Sequence, residues 1–432
     1  MFAGVPAWSH RRTALSAFPD WRWFLVSVLT GVRNAALDDM VALLQTQQTA
    51  KLDVVAPVTA LTCRDGFIEL TGADPVIDEA GVTPVDGRYL PTASADGDIA
   101  EKLDISRRYL RQLRDTGRLD LFDVNVNGKI HGRVPGSDSR HESDQRKFLL
   151  RTFRGDPGGP GVLRAVLSDR FGICDNFDVL TAVLDGINQA GTPVTIRSCD
   201  LTDSSMHVKV YSPAVAQLAP ALLANYRNPF ATPQLASDRT SVTTPPGLPT
   251  PAAPLPRDPG LPVMFAGFRF SNSETGHGAV VLKPELYVQV CGNGLTLPML
   301  AVRDVHLGSR LKAGAVAWSQ DTYDKQLAVV TAKTRDTVRH WLSPEFLAEQ
   351  IELLDTTATT PVTEPDKTIT VIAKQMRFSE AERSGILSHF IAGGQLNAAG
   401  IANAITSFSQ TLADPTRADA LDDLAVEAMA LA

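Results

Sequence analysis

Apolar positions along this chain switch between a period of two and a period near 3.6, and the switches divide it into elements. Val162 to Leu167 reads as a buried strand, and Asn176 as the cap of a helix that carries Phe177, Leu180, Val183, Leu184 and Ile187 and stops at Gly191 and Pro193. The runs PVTIRSC and SMHVKVYSP flank a turn-rich DLTDS and predict a hairpin, as do VMFAGFRFSNSE and GAVVLKPELYVQVC around Gly276 and Gly278. Asp123 to Val134 predicts another, because Asn127-Gly128 sits between short alternating runs. Helical spacing dominates later. One helix is expected from Ser319 through Trp341, a second from Ser343-Pro344-Glu345 with proline at its first position, and a third after the capping-box pair Ser379 and Glu382. Gly393-Gly394 ends that helix, and two more follow, divided by Asp414-Pro415. Near the N-terminus, Phe24 to Val32 is too short to span a bilayer, and the helical period that continues past Asp38 and Asp39 predicts a packed helix rather than a cleaved leader. Antiparallel hairpins with packed helices and a helix-rich C-terminal end define an α+β protein.

Residues 229–262 contain ten prolines in 34 positions and predict an extended linker, since proline offers no backbone donor to a ladder or helix. The expected organisation is an N-terminal α/β segment (1–95), a helix-turn-helix-like pair with an α+β core (96–228), the linker (229–262), a second half of the core (263–355) and a C-terminal helical region (356–432).

The 432 residues are 44% hydrophobic and 21% charged, which excludes a disordered or fibrous chain. A net charge of −7 argues against general coating of a polyanion but permits a local basic patch. Cys63, Cys174, Cys199 and Cys291 form no CxxC pair and lack zinc-ligand spacing to histidine, so neither a metal nor a cofactor is expected, and the thiols suit a reducing cytoplasm.

The most legible local motif runs from Asp98 to Gly117. A short helix with Ile99 and Leu103 precedes a second, capped by Ser106, whose Tyr109, Leu110 and Leu113 are expected inward and whose Arg107, Arg111 and Arg114 share the outer face. This is the layout of a helix-turn-helix, and equally of any amphipathic pair with a basic face. From Ser106 to Arg154 there are twelve Lys and Arg against six Asp and Glu, a local excess expected of phosphate binding. Arg107, Arg108, Arg111, Arg114, Lys147, Arg151 and Arg154 are the candidates to neutralise phosphates, and Tyr109 or Phe148 to stack on bases. A possible polar pocket gathers Arg164, Asp169, Arg170, Asn272, Glu274, His277, Asn293 and His306. Phosphate-loop, dinucleotide-binding, zinc-protease and kinase signatures are absent, as is a GxSxG elbow around Ser168.

The blocks RxxLSDRFxxxDN (164–176), FSNSETGxGA (270–279), VCGNGL (290–295) and His306-Leu307-Gly308, with YLRQL upstream, resemble a family of phage and plasmid proteins known only as a domain of unknown function. The resemblance spans roughly residues 95–355 and implies a mobile-element origin and a place in the bacterial host cytoplasm. Members of that family look similar to single-strand annealing proteins, which bind DNA without ATP through an oligomeric basic groove. The long linker and the overall acidity depart from that pattern. The leading expectation is an ATP-independent, non-enzymatic DNA-binding protein that favours single strands and acts as a homo-oligomer in recombination or replication. The alternatives are a phage structural or assembly protein acting through subunit contacts, and an enzyme built on Asn272, Glu274, His277 and His306.

Overall fold

A computed structural model describes residues 31–78, 81–132, 143–155, 158–241, 262–290, 292, 294–304 and 320–432. In chain order, β1 (Val32–Ala35) and α1 (Leu37–Ala50) lead into β2 (Lys51–Pro57), β3 (Leu61–Arg64), β4 (Phe67–Leu70), β5 (Val76–Asp78), β6 (Gly81–Thr83) and β7 (Gly87–Pro91). Three helices follow, α2 (Ala93–Lys102), α3 (Arg107–Asp115) and α4 (Leu119–His131), and then β8 (Lys147–Phe153) and β9 (Gly161–Ser168). Next come α5 (Asn176–Ala190), β10 (Thr195–Leu201), β11 (Met206–Leu218), α6 (Pro220–Leu223) and α7 (Pro233–Ser241). After them stand β12 (Val263–Asn272), β13 (Val280–Val288), β14 (Gly294–Thr296) and β15 (Val302–Asp304). The described chain finishes with α8 (Gln320–Trp341), α9 (Pro344–Ala358), α10 (Pro365–Gln375), α11 (Glu380–Gly393), α12 (Ala398–Ser409) and α13 (Pro415–Ala430). The class is α+β.

Two sheets organise these elements. The larger has the order β1-β10-β11-β12-β13-β14, with β15 also on β13, and is antiparallel throughout. The smaller has the order β2-β8-β9-β7-β4-β3, with one parallel pairing, β7 to β9, bridged by β8 and the helices α2 to α4. Those helices bury Ile99, Leu110, Leu113, Phe122, Val126 and Ile130 in the core of the small sheet. The large sheet is covered by α5, α8 and the C-terminal helices around Phe268, Phe270, Trp341 and Ile401. Because β1 and α1 belong to the large lobe, the small lobe (51–168) is an insertion within it. The backbone N–H of Arg154 donates to Ala50 O at 2.7 Å, which carries the β2–β8 pairing back to the end of α1.

Several expectations need correction. Residues 123–131 are not part of a hairpin, since α4 runs through Asn127-Gly128; Arg133 and Val134 lie outside the described residues. In α4, Phe122, Val126 and Ile130 recur every four residues and are buried, and the Asn127 side chain accepts from Cys63 N and donates to Cys63 O, both at 2.7 Å. The amide thus serves as a strand partner for β3, and that tertiary contact overrides the turn propensity. β11 and β12, on either side of the 229–262 segment, are paired neighbours in one sheet. That segment also holds α7, while residues 242–261 lie outside the described set. The boundaries at 95/96 and 355/356 fall inside α2 and α9. The N-terminal helix begins at Leu37, after a short strand, and residues 1–30 lie outside the described set.

Gly186 sets the approach of α5 to α8. A Cβ there would meet Thr331 O at 2.6 Å and Thr334 Cβ at 2.7 Å. Gly186→Ala should therefore cost about 2 kcal/mol despite better helix propensity, read as a lower urea midpoint with unchanged slope.

Candidate functional site

The exposed face of α3 is the most basic helical surface in the small lobe. Ser106 caps the helix by accepting from Tyr109 N at 3.4 Å, and Leu110 and Leu113 anchor it inward. Arg107, Arg108 and Arg111 are exposed. Arg107 pairs with Glu101 at 2.5 Å, whereas Arg108 and Arg111 make no hydrogen bond or ion pair with a described residue. Tyr109 is 40% exposed, contrary to the inward position expected: it flanks the Leu110–Leu113 stripe instead of belonging to it. Arg146, remote in sequence, joins this surface by donating to Lys102 O at 2.5 Å, at the turn between α2 and α3. Lys147 is exposed at the start of β8, close to Arg146.

Three of the proposed phosphate or base contacts point elsewhere. Arg114 turns in, donating to Asp96 at 2.8 Å and Gly66 O at 3.1 Å with its guanidinium 4.4 Å from the Phe122 ring. Phe148 is buried in the small-lobe core. Arg151 is fully buried. Arg154 is exposed, but at the far end of β8 from Lys147, about 20 Å away along the strand.

Arg151 belongs to a polar junction between the lobes. It donates to Asp53 at 3.0 and 3.2 Å, to Asp175, and to Glu274 O at 2.6 Å, while Lys51 also pairs with Asp175. Burial alone pushes the Asp175 carboxyl up, but the Arg151 and Lys51 charges override it and hold the group at about 2. Beside this cluster Arg164 pairs with Glu274 and lies 4.0 Å from the Phe153 ring. Glu274 also accepts from Asn176 N at 3.0 Å, and Asn272 donates to Asn176 Oδ1 at 2.8 Å. Arg164, Asn272 and Glu274, expected together, are indeed brought together. His277 stands at the edge, with its Nε2 2.7 Å from Ser94 Oγ and 3.5 Å from Asp98. Burial raises Asp98 to about 6. Serine and carboxylate thus address the same ring nitrogen, which is not the relay a nucleophilic serine needs, with its carboxylate on the other nitrogen. Asp169 and Arg170 lie on the exposed turn after β9, away from the cluster core. Asn293 and His306 lie outside the described residues.

The sequence reading missed Lys51, Asp53 and Ser94, and a second charged cluster. In the latter, Asp419, Asp422 and Asp423 on α13 meet His207, Lys209, Arg269 and Lys283 on the large sheet. The available signal was the placement of Lys209 and Arg269 within otherwise apolar strands, opposite acids at helical i, i+3 and i+4 spacing. Among the described residues no group of three or more His, Cys, Asp and Glu is arranged to hold a metal, and no helix is long and apolar enough to cross a membrane. Comparison of the chain with protein-family models, with curated proteins and with solved structures finds no match.

Proposed function

We propose that this is an ATP-independent DNA-binding protein of the phage or plasmid type, which engages DNA through the outer face of α3 and favours single strands in recombination or replication. It would act in the bacterial host cytoplasm as a homo-oligomer. The observation that carries the reading is the contrast among arginines: the interior ones are held by carboxylates, whereas Arg108 and Arg111 stand exposed, with no hydrogen-bond or ion-pair partner among the described residues, beside the half-exposed Tyr109. Guanidinium groups so placed suit phosphates, and an exposed ring between them suits a stacked base. Two phosphate contacts on a single strand correspond to a salt slope of about −1.4.

Fluorescence anisotropy with labelled single- and double-stranded oligonucleotides at two salt concentrations tests it. The expected result is salt-sensitive binding, weakened about tenfold or more by R108E/R111E, with Y109A narrowing the preference for single strands. Unchanged affinity and salt slope in the charge-reversed protein would sink the assignment.

A structural or assembly role has its own support. Leu353, Val371, Ile391 and Leu396, in and between the C-terminal helices, are each more than half exposed. It predicts a stable oligomer by light scattering, indifferent to oligonucleotide and salt.

A further inference from the structure

Arg164 reaches from β9 to the cleft between the lobes and is only 5% exposed. Its Nη1 donates to Glu274, and the Phe153 ring covers the guanidinium at 4.0 Å. Among the described residues, its Nε and Nη2 have no hydrogen-bond acceptor. Asp53 Oδ1 stands 4.0 Å from Nη2, outside hydrogen-bond reach, and the other Asp53 oxygen is held by Arg151. Nε and Nη2 together form the edge of a guanidinium that grips a carboxylate or phosphate with two parallel hydrogen bonds. Buried donors are almost always satisfied, so an unused edge beside a cleft points to an acceptor from outside the chain.

The surroundings suit such a ligand. Gln47, Phe153, Arg164 and Glu274 line two adjoining depressions of about 390 and 200 Å3, counting space open to solvent. Thr92 and Ser204 add hydroxyls to one, and Gln48 and Lys51 add an amide and an ammonium to the other. Of the nearby carboxylates, Glu274 is held by Arg164 and the Asn176 N–H and Asp175 by Arg151 and Lys51, while Asp53 Oδ1 has no hydrogen-bond partner among the described residues and Asp203, on the lining of the larger depression, accepts from Ser94 N. We propose that the Nε/Nη2 edge of Arg164 anchors an oxyanion site at the lobe junction, which takes the phosphate or carboxylate head of a small molecule or the terminal phosphate of a strand. The site is separate from the α3 surface, and its test does not depend on DNA binding there.

Isothermal titration of the full chain with inorganic phosphate and with acetate, at constant ionic strength, tests the site in wild type, R164K and Q48E. R164K keeps the charge and loses the two-pronged edge; Gln48 is exposed on α1, so Q48E adds a negative charge at the mouth without disturbing packing. Saturable binding of at least one anion is expected in wild type, weakened about tenfold in R164K and about threefold in Q48E. Competition by a 5′-phosphorylated oligonucleotide, absent for its 5′-hydroxyl counterpart, assigns the head to a strand end; equal behaviour of the two assigns it to a free small anion. The proposal is overturned by an absence of saturation with either anion up to about 20 mM, or by equal affinity in all three proteins. If R164K fails to fold, the Q48E comparison alone decides.

Discussion

Arg151→Met is expected to destabilise the small lobe and its junction by about 3–5 kcal/mol, seen as a large drop in urea midpoint. The methionine fills much of the space, so the loss is electrostatic: Asp53 and Asp175 remain buried without the cation that Arg151 supplied to both. The Glu274 carbonyl also loses its donor, which loosens the loop carrying Asn272 and Glu274. The pH dependence of stability gives a second readout. Asp175 is held at about 2, below its unfolded value near 3.9, so its contribution is fully present above pH 4 and disappears as pH falls through 2. The gap between wild type and R151M should therefore shrink on acidification through that window. Adding D53N to R151M should return part of the lost stability, because the second change removes a stranded charge. A gap independent of pH, with no return in the double variant, would contradict the account.

Arg269→Met is the other large effect, again about 3–5 kcal/mol, but its consequence is local to the C-terminus. Arg269 lies 2.5 Å from Asp419 and 2.6 Å from Asp423, and its backbone neighbours on β11 and β13 present Lys209 and Lys283 to the same helix. Burial pushes Asp422 up to about 6 even with Lys209 and Arg269 nearby, whereas for Asp419 those charges and His207 overcome burial and hold it far below the usual range. Removing Arg269 leaves α13 with more acid than the sheet can match. Hydrogen exchange should show residues 415–430 losing protection first, while the small lobe keeps its own. R269M/D419N should recover stability relative to R269M. Uniform loss of protection across both lobes would argue that the contact is not local.

Much of the fold was legible where local signals and tertiary demand agree. The β10–β11 and β12–β13 hairpins follow from alternation with turn residues between, and the Ser343 and Ser379 caps were read from residue type and spacing alone. The clear failure, at Asn127-Gly128, has a long-range cause: its amide finds a strand edge more than 60 residues away, which no local window contains. Of the candidate site, Asn272 and Glu274 were visible because they sit in the polar block that closes β12, whereas Arg164 stands as a lone charge inside the apolar run of β9. Arg151 was misassigned because a positive residue inside KFLLRTF reads as surface charge when its partners Asp53 and Asp175, on distant segments, are out of sight. Arg114 fails in the same way through Asp96.

The insertion of residues 51–168 into the large lobe fixes an order of events during synthesis. β1 pairs with β10, so Val32 and Ala35 must await Cys199 and Leu201. At about 5–20 residues per second that is a delay on the order of 10–30 s. Over its last 30 or so residues, about 2–6 s, the small lobe has all of its own strands, while Met40, Leu43 and Leu44 of α1 still have no sheet to cover them. The nascent chain thus carries a finished lobe tethered to an apolar helix waiting for its partner, which makes α1 the segment most dependent on chaperone protection before the ribosome reaches β11.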